Sequence, residues 1–135
     1  MLDNGYDPQS VAATFTEDGL WSPGGVGDVK GRTAIMEHSR NWGKDILWVQ
    51  HNIFAPVIEV GEDGDSATGT FYVICLLTMK ADNAAGKISC VLAAKYQDKF
   101  VKIDGHWLFS ELVGHISGST TLNKGWVQDA FAMKS

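Results

Sequence analysis

The chain has 135 residues, which at roughly 100–200 residues per domain corresponds to one domain. Hydrophobic residues make up 44% and charged residues 20%, a globular balance that excludes wholesale disorder. Sixteen acids against eleven bases give a net charge of −5, which argues against nucleic acid as a partner, and the longest apolar runs, such as Phe71 to Leu77, fall far short of the ~20 residues of a membrane-spanning helix.

In chain order, Pro8 suits the first turn of a helix, with Asp7 before it as a cap. Val11, Ala12 and Phe15 supply its apolar face, and Gly19 ends it. Leu20 to Ser22 read as a brief strand, and residues 23–27 as a Gly-rich loop. A second helix is predicted over about Thr33 to Trp42, with Ile35, His38, Ser39 and Trp42 on one face. From Trp48 onward the pattern is β. Four runs, about 48–60, 66–80, 87–103 and 106–117, are joined by short connections rich in Asp, Asn and Gly. These predict an antiparallel meander, and strands this long require a strongly curved, twisted sheet. The fold class is α+β, with helices on one face of the sheet. Residues 1–122 form the domain, and residues 123–135, with Trp126, Val127, Ala130 and Phe131, a tail with the pattern of a short helix.

Cys75 and Cys90 sit in strand-like runs without metal-ligand spacing. They read as buried thiols of a cytoplasmic protein, with a bridge between neighbouring strands as the alternative. His38, His51, His106 and His115 show no paired metal spacing. The cluster around Gly24 lacks the features of a P-loop or a dinucleotide fingerprint, and no nucleophile motif occurs. No metal or cofactor is expected.

Four segments resemble one family. Residues 11–21 (VAATFTEDGLW) resemble its "FxxDaxW" opening, and residues 29–35 (VKGRTAI) its "G-x-x-A-I" entry into a helix. His51-Asn52-Ile53 resembles the start of its first long strand, and residues 96–107 (YQDKFVKIDGHW) its "YxDxfvrxdGxW" hairpin. The family is the SnoaL-like branch of the nuclear transport factor 2-like superfamily, which includes scytalone dehydratase, a bile-acid dehydratase and hexachlorocyclohexane dehydrochlorinase. The resemblance implies a cone-shaped α+β barrel, a curved antiparallel sheet wrapped around N-terminal helices, enclosing an apolar pocket for a small hydrophobic molecule.

In the dehydratase and dehydrochlorinase members an Asp pairs with a His as a general base. Asp3 and His51 stand at the matching positions. A carboxylate holding one imidazole nitrogen leaves the other to abstract a substrate proton. The implied activity is that of a cofactor-independent lyase or isomerase. The alternative is a non-catalytic ligand-binding or oligomerisation module of the same fold, and for His51 alone a structural role is the other reading. With the register implied by the resemblance, His51, Ile53, Tyr72, Ile74 and Leu76 face inward. So do Leu92, Ala94, Tyr96 and Asp98, then Leu108, Ser110, Leu112, Gly114 and Ile116. Trp21, Met36, Trp42 and Trp48 are expected to close the cone from the helical side. The expected binding residues are Tyr72, Ile74, Leu76, Leu92, Tyr96, Leu112, Ile116, Trp21 and Trp42, with core packing as the alternative. Trp107, Phe109, Val113 and His115 are expected on the outer face, where they imply a homodimer or homotrimer.

Two departures from the family's pattern stand out. Some members carry an Arg on the last strand, where Leu112 stands here. Members also carry a longer helix ahead of Asp3, so the first helix is expected to be truncated or the pocket open at that end.

Overall fold

In the computed structural model, which describes residues 6–24 and 27–123, Asp7 caps helix α1 (Pro8–Ala13) by accepting the Ser10 N–H at 2.9 Å. The helix ends well before Gly19. The Thr14 hydroxyl and backbone N–H both close onto the Val11 carbonyl, at 2.7 and 3.2 Å, and the chain leaves as strand β1 (Phe15–Ser22). After the two-residue strand β2 (Val29–Lys30), Gly31 adopts a φ of 85° and admits helix α2 (Arg32–Gly43). Arg32 ties that helix to β1, donating from Nε to the Phe15 carbonyl at 2.8 Å and from Nη1 to Glu17 at 2.6 Å.

The four long strands follow as β3 (Ile46–Val60), β4 (Ser66–Lys80), β5 (Lys87–Ile103) and β6 (His106–Thr121). They pair antiparallel in sequence, as their turn residues predict. Asp104 and Gly105 both take positive φ, 51° and 79°, as a two-residue hairpin turn of matching twist requires. In the first hairpin, Asp63 Oδ1 accepts the N–H groups of Asp65 and Ser66 at 3.0 and 2.9 Å. The sheet order is β2-β1-β6-β5-β4-β3. Because β1 lies parallel to β6, the sheet is mixed rather than a pure meander. The stretch read as the end of a helix and a brief strand is this longer β1.

Irregularities decide which side chains face the helices. Lys99 pairs with Glu111 and Phe100 with Phe109, so Ser110 is an extra residue on β6, and Ser117 is a second between Ile116 and Gly118. Each bulge inverts the facing of the residues beyond it. Strand β5 runs without interruption, presenting Cys90, Leu92, Ala94, Tyr96, Asp98 and Phe100 to one side. The core joins Val11, Phe15, Trp21 and Ile35 from the N-terminal elements to Val49, Cys75, Leu77, Cys90 and Leu112 of the sheet. Cys75 lies opposite Leu92 and Cys90 opposite Leu77, so the two cysteines are not direct cross-strand partners. No helix among the described residues is long and apolar enough to cross a membrane. The tail pattern of residues 124–135 lies outside the described residues.

Ile35 is fully enclosed on α2, at 0% exposure, and truncation there leaves a void that rigid neighbours do not fill. Ile35→Ala is expected to lower stability by about 2–5 kcal/mol, read as a fall in the urea midpoint with an unchanged slope.

Candidate functional site

Strands β3–β6 extend beyond the cover that α1, α2 and β1 provide, and a cavity of about 490 Å³ opens between them. Its walls are Val11, Phe15, Trp21, Ile53, Phe71, Phe100, Phe109 and Leu112, with Thr14, His51, Tyr96 and Asp98 as the polar groups. A smaller cavity of about 80 Å³ shares Trp21, His51, Tyr96 and Leu112 with it and adds Tyr6, Trp42, Leu92, Ala94 and Ile116. His51 stands where the two meet. Its ring lies edge-on to Tyr6, with centroids 6.4 Å apart, and Tyr6 stacks on Trp42 at 6.4 Å. On the other side Phe15 packs against Trp21 at 6.1 Å and Phe109 at 5.4 Å, and Phe109 against Phe100 at 4.9 Å. Such offset and tilted aromatic contacts hold rings in defined places around the opening.

The structure brings together His51, Trp21, Trp42, Leu92, Tyr96, Leu112 and Ile116 around the two cavities. Asp3 lies outside the described residues. Tyr72, Ile74 and Leu76 point the other way. Phe71, Val73 and Cys75 pair with Tyr96, Ala94 and Leu92 and share their inner face, leaving Tyr72 57% and Ile74 42% exposed. The run Phe71 to Leu77 is apolar at every position, so period-2 alternation cannot distinguish its two faces. Trp48 likewise faces outward, half-exposed, because its neighbour Val49 takes the core side. On β6 the Ser110 bulge carries Phe109 into the cavity and displaces Leu108 and Ser110 from the inner face.

Alternation places Asp98 on the inner face, but spacing does not reveal its surroundings. It is 4% exposed, between Gly69 on β4 and Leu112 on β6. Neither neighbour offers a polar side chain. A Cβ at position 69 would meet the Phe71 ring at 2.7 Å and the Phe100 ring at 3.0 Å, so the glycine cedes its space to two rings that line the cavity. Burial pushes the Asp98 carboxyl up to about 7, and the Val113 N–H, donating to Oδ1 at a long 3.3 Å, offsets only part of that. Sequence reasoning also misses Tyr6, Phe71 and Phe109 as wall residues. Tyr6 precedes any readable periodicity, and Phe109 depends on the bulge.

Known proteins resemble the chain in two ways. The family model of the SnoaL-like domain matches residues 1–113. Among solved structures, a type 2 hexachlorocyclohexane dehydrochlorinase (LinA) superposes with a TM-score of 0.75 at 25% identity, over 89% of this chain and 80% of that one. The type 3 enzyme from Novosphingobium barchaimii LL02 gives 0.73 at 25% identity, over 90% and 80%. A protein of unknown function from Mycobacterium tuberculosis gives 0.69 at 27% identity over 84% of this chain, which spans only 62% of that protein. No curated protein matches the chain in sequence.

The raised pKa of Asp98 has a consequence for stability. With the folded value near 7 above an unfolded value of about 3.8, the folded chain holds the proton more tightly. Stability is therefore fullest below about pH 4 and falls as pH rises to about 7, by a ceiling of about 4 kcal/mol. Asp98→Asn is expected to raise Tm at pH 8 and to leave it nearly unchanged at pH 4, measured by calorimetry at both pH values.

Proposed function

The chain belongs to the SnoaL-like domain family, and on that premise we propose that its cavity binds a small hydrophobic molecule and acts on it as a cofactor-independent lyase or isomerase. The observation that carries this reading is the position of His51, an imidazole on the seam between two cavities with largely apolar walls. In such surroundings the dielectric is low, and a base acts at full strength on a bound C–H group. His51 removes the proton, and Asp3 orients the imidazole. The likeness to hexachlorocyclohexane dehydrochlorinases at 25% identity supports elimination as the reaction class. Leu92, Tyr96, Leu112, Ile116, Trp21 and Trp42 surround the substrate.

The test compares wild type with His51→Ala on a panel of dehydration, dehydrochlorination and isomerisation substrates. A general base contributes about 10²–10⁴ in rate, so kcat/KM is expected to fall at least about 100-fold wherever wild type is active. Asp3→Ala is expected to lower it in the same direction. Equal turnover by wild type and His51→Ala removes the mechanism.

A homodimer or homotrimer is part of the same proposal, supported by a different observation. Trp48, Phe54, Tyr72 and Ile74 are 42–57% exposed and share the outer face of β3 and β4, where Phe54 pairs with Tyr72. The patch replaces the one expected around Phe109, whose ring the bulge has turned inward. Large apolar side chains grouped on one sheet face mark an interface. Tyr72→Glu combined with Ile74→Glu is expected to convert a sedimenting dimer or trimer to monomer. A wild-type protein that sediments as a monomer at micromolar concentration overturns it.

A further inference from the structure

The inner face of the sheet continues past the end of the cavity. Phe100 and Phe109 line the cavity and pair across β5 and β6. Two residues further along each strand, on the same side, stand Lys102 and Trp107, which also pair. On β4, Ala67 pairs with Phe100 on one side and Val60 on the other, and Gly69 pairs with Asp98 and Ile58. Ile58, Val60 and Trp107 therefore lie on the cavity's side of the sheet, as does the cavity residue Ile53, yet all four are 42–60% exposed. They form an uncovered apolar track from the cavity to the turns that end β3 and β5. From Tyr96 to Lys102 the face spans about 20 Å at 3.3 Å per residue. At the end of the track the Lys102 ammonium lies 5.0 Å from the Trp107 ring centroid, donates to the Gly64 carbonyl at 3.3 Å and stands 3.8 Å from Asp65. Among the described residues it is the only lysine or arginine on this side of β3–β6.

We propose that the ligand of this cavity is an elongated apolar molecule ending in a carboxylate, with its body in the cavity and its carboxylate on Lys102. The inference names a substrate class for the reading above and rests on that reading for the cavity's being a ligand site. Charge sets the orientation. A carboxylate carried into the cavity would lose its water, gain no lysine or arginine and meet the acid Asp98. At the end of the track the Lys102 side chain is 35% exposed, so an ion pair forms there without full desolvation. An ammonium has three N–H groups, of which the Gly64 carbonyl takes one. The Asp65 contact at 3.8 Å is longer than a hydrogen bond, so donors remain for an arriving oxygen. Trp107 and the Lys102 stem flank the ligand on one side, and Ile58 and Val60 on the other. Each methylene that leaves water between them adds to affinity. A compact ring confined to the cavity would leave these side chains wet, whereas a molecule longer than the cavity covers them.

Titration calorimetry on the full chain tests this with three probes: dodecanoate, dodecanol and hexanoate, each below its aggregation limit. Wild type is expected to bind dodecanoate about fivefold more tightly than dodecanol, the worth of a partly exposed ion pair. It is expected to bind dodecanoate at least about 100-fold more tightly than hexanoate, whose shorter chain leaves the cavity unfilled. Lys102→Met keeps the stem and removes the charge, and is expected to bind dodecanoate and dodecanol equally, with dodecanol unchanged from wild type. Val60→Glu changes a side chain already 60% exposed, so the fold tolerates it. It is expected to weaken dodecanol at least about fivefold by placing a charge along the track. His51→Ala is expected to keep both the chain-length dependence and the carboxylate preference, so loss of turnover in that variant and failure of this proposal are separate results. The proposal is overturned if wild type binds neither dodecanoate nor dodecanol or binds the two equally. It is also overturned by hexanoate binding as tightly as dodecanoate, a carboxylate preference that survives Lys102→Met, or wild-type dodecanol affinity in Val60→Glu.

Discussion

The architecture follows from a mismatch of lengths. Strands β3, β4 and β5 have 15, 15 and 17 residues, about 50–55 Å each at 3.3 Å per residue. Helix α2 has 12 residues, about 18 Å, and α1 has 6. Two short helices cannot cover that inner face. Strand β3 records the result along its length, with Ile46 and Val49 buried and the stretch from Ile53 to Val60 exposed. Where the cover ends, aromatic side chains from both sides partly close the gap, and the volume they leave is the cavity. The cavity is therefore what remains when a long sheet is packed by too little helix, and it does not need a separate explanation.

Given that gap, small backbone events decide its chemistry. The Ser110 bulge turns Phe109 inward, and Phe109 then meets Phe15 and Phe100, coupling β6 to β1 and β5. Arg32 holds Phe15 from the other side through its carbonyl, and the Thr14 carbonyl accepts the Phe109 N–H at 2.8 Å. The wall is thus held by backbone hydrogen bonds as well as by ring contacts. Gly69 makes room for the Phe71 and Phe100 rings beside Asp98, so removing one side chain from the sheet is part of what desolvates the acid.

The features legible in the sequence are those encoded locally. Asp7-Pro8, Gly31, Asp63-Gly64 and Asp104-Gly105 mark turns and caps through their own φ preferences, and the long strands between them appear with nearly the predicted limits. What local pattern cannot supply is facing. In Phe71 to Leu77 both faces are apolar, so only pairing with β5 shows that Tyr72 and Ile74 point outward. On β6 alternation is valid between bulges and fails across them, and neither Ser110 nor Ser117 announces an extra residue. The parallel pairing of β1 with β6 is a contact between distant parts of the chain that no spacing encodes. His51 and Tyr96 are legible because the resemblance supplies the register. Asp98 is legible as inward but not as desolvated, since that depends on Gly69 across the ladder.

Asp98 also bears on how stability and chemistry divide this molecule. Above neutral pH an ionised carboxyl at 4% exposure, held by one long N–H contact, weakens the fold. Leu92, Ala94 and Leu112 are apolar neighbours on the same inner face, which also carries His51, Tyr96 and Ser119. A buried acid on the cavity wall, rather than in the core between sheet and helices, carries a local cost to folding. His51 is the complementary case, an imidazole lodged among aromatic rings at the junction of the two cavities. His51 from β3 and Asp98 from β5 thus place an imidazole and a carboxyl on different strands of one mostly apolar cavity wall.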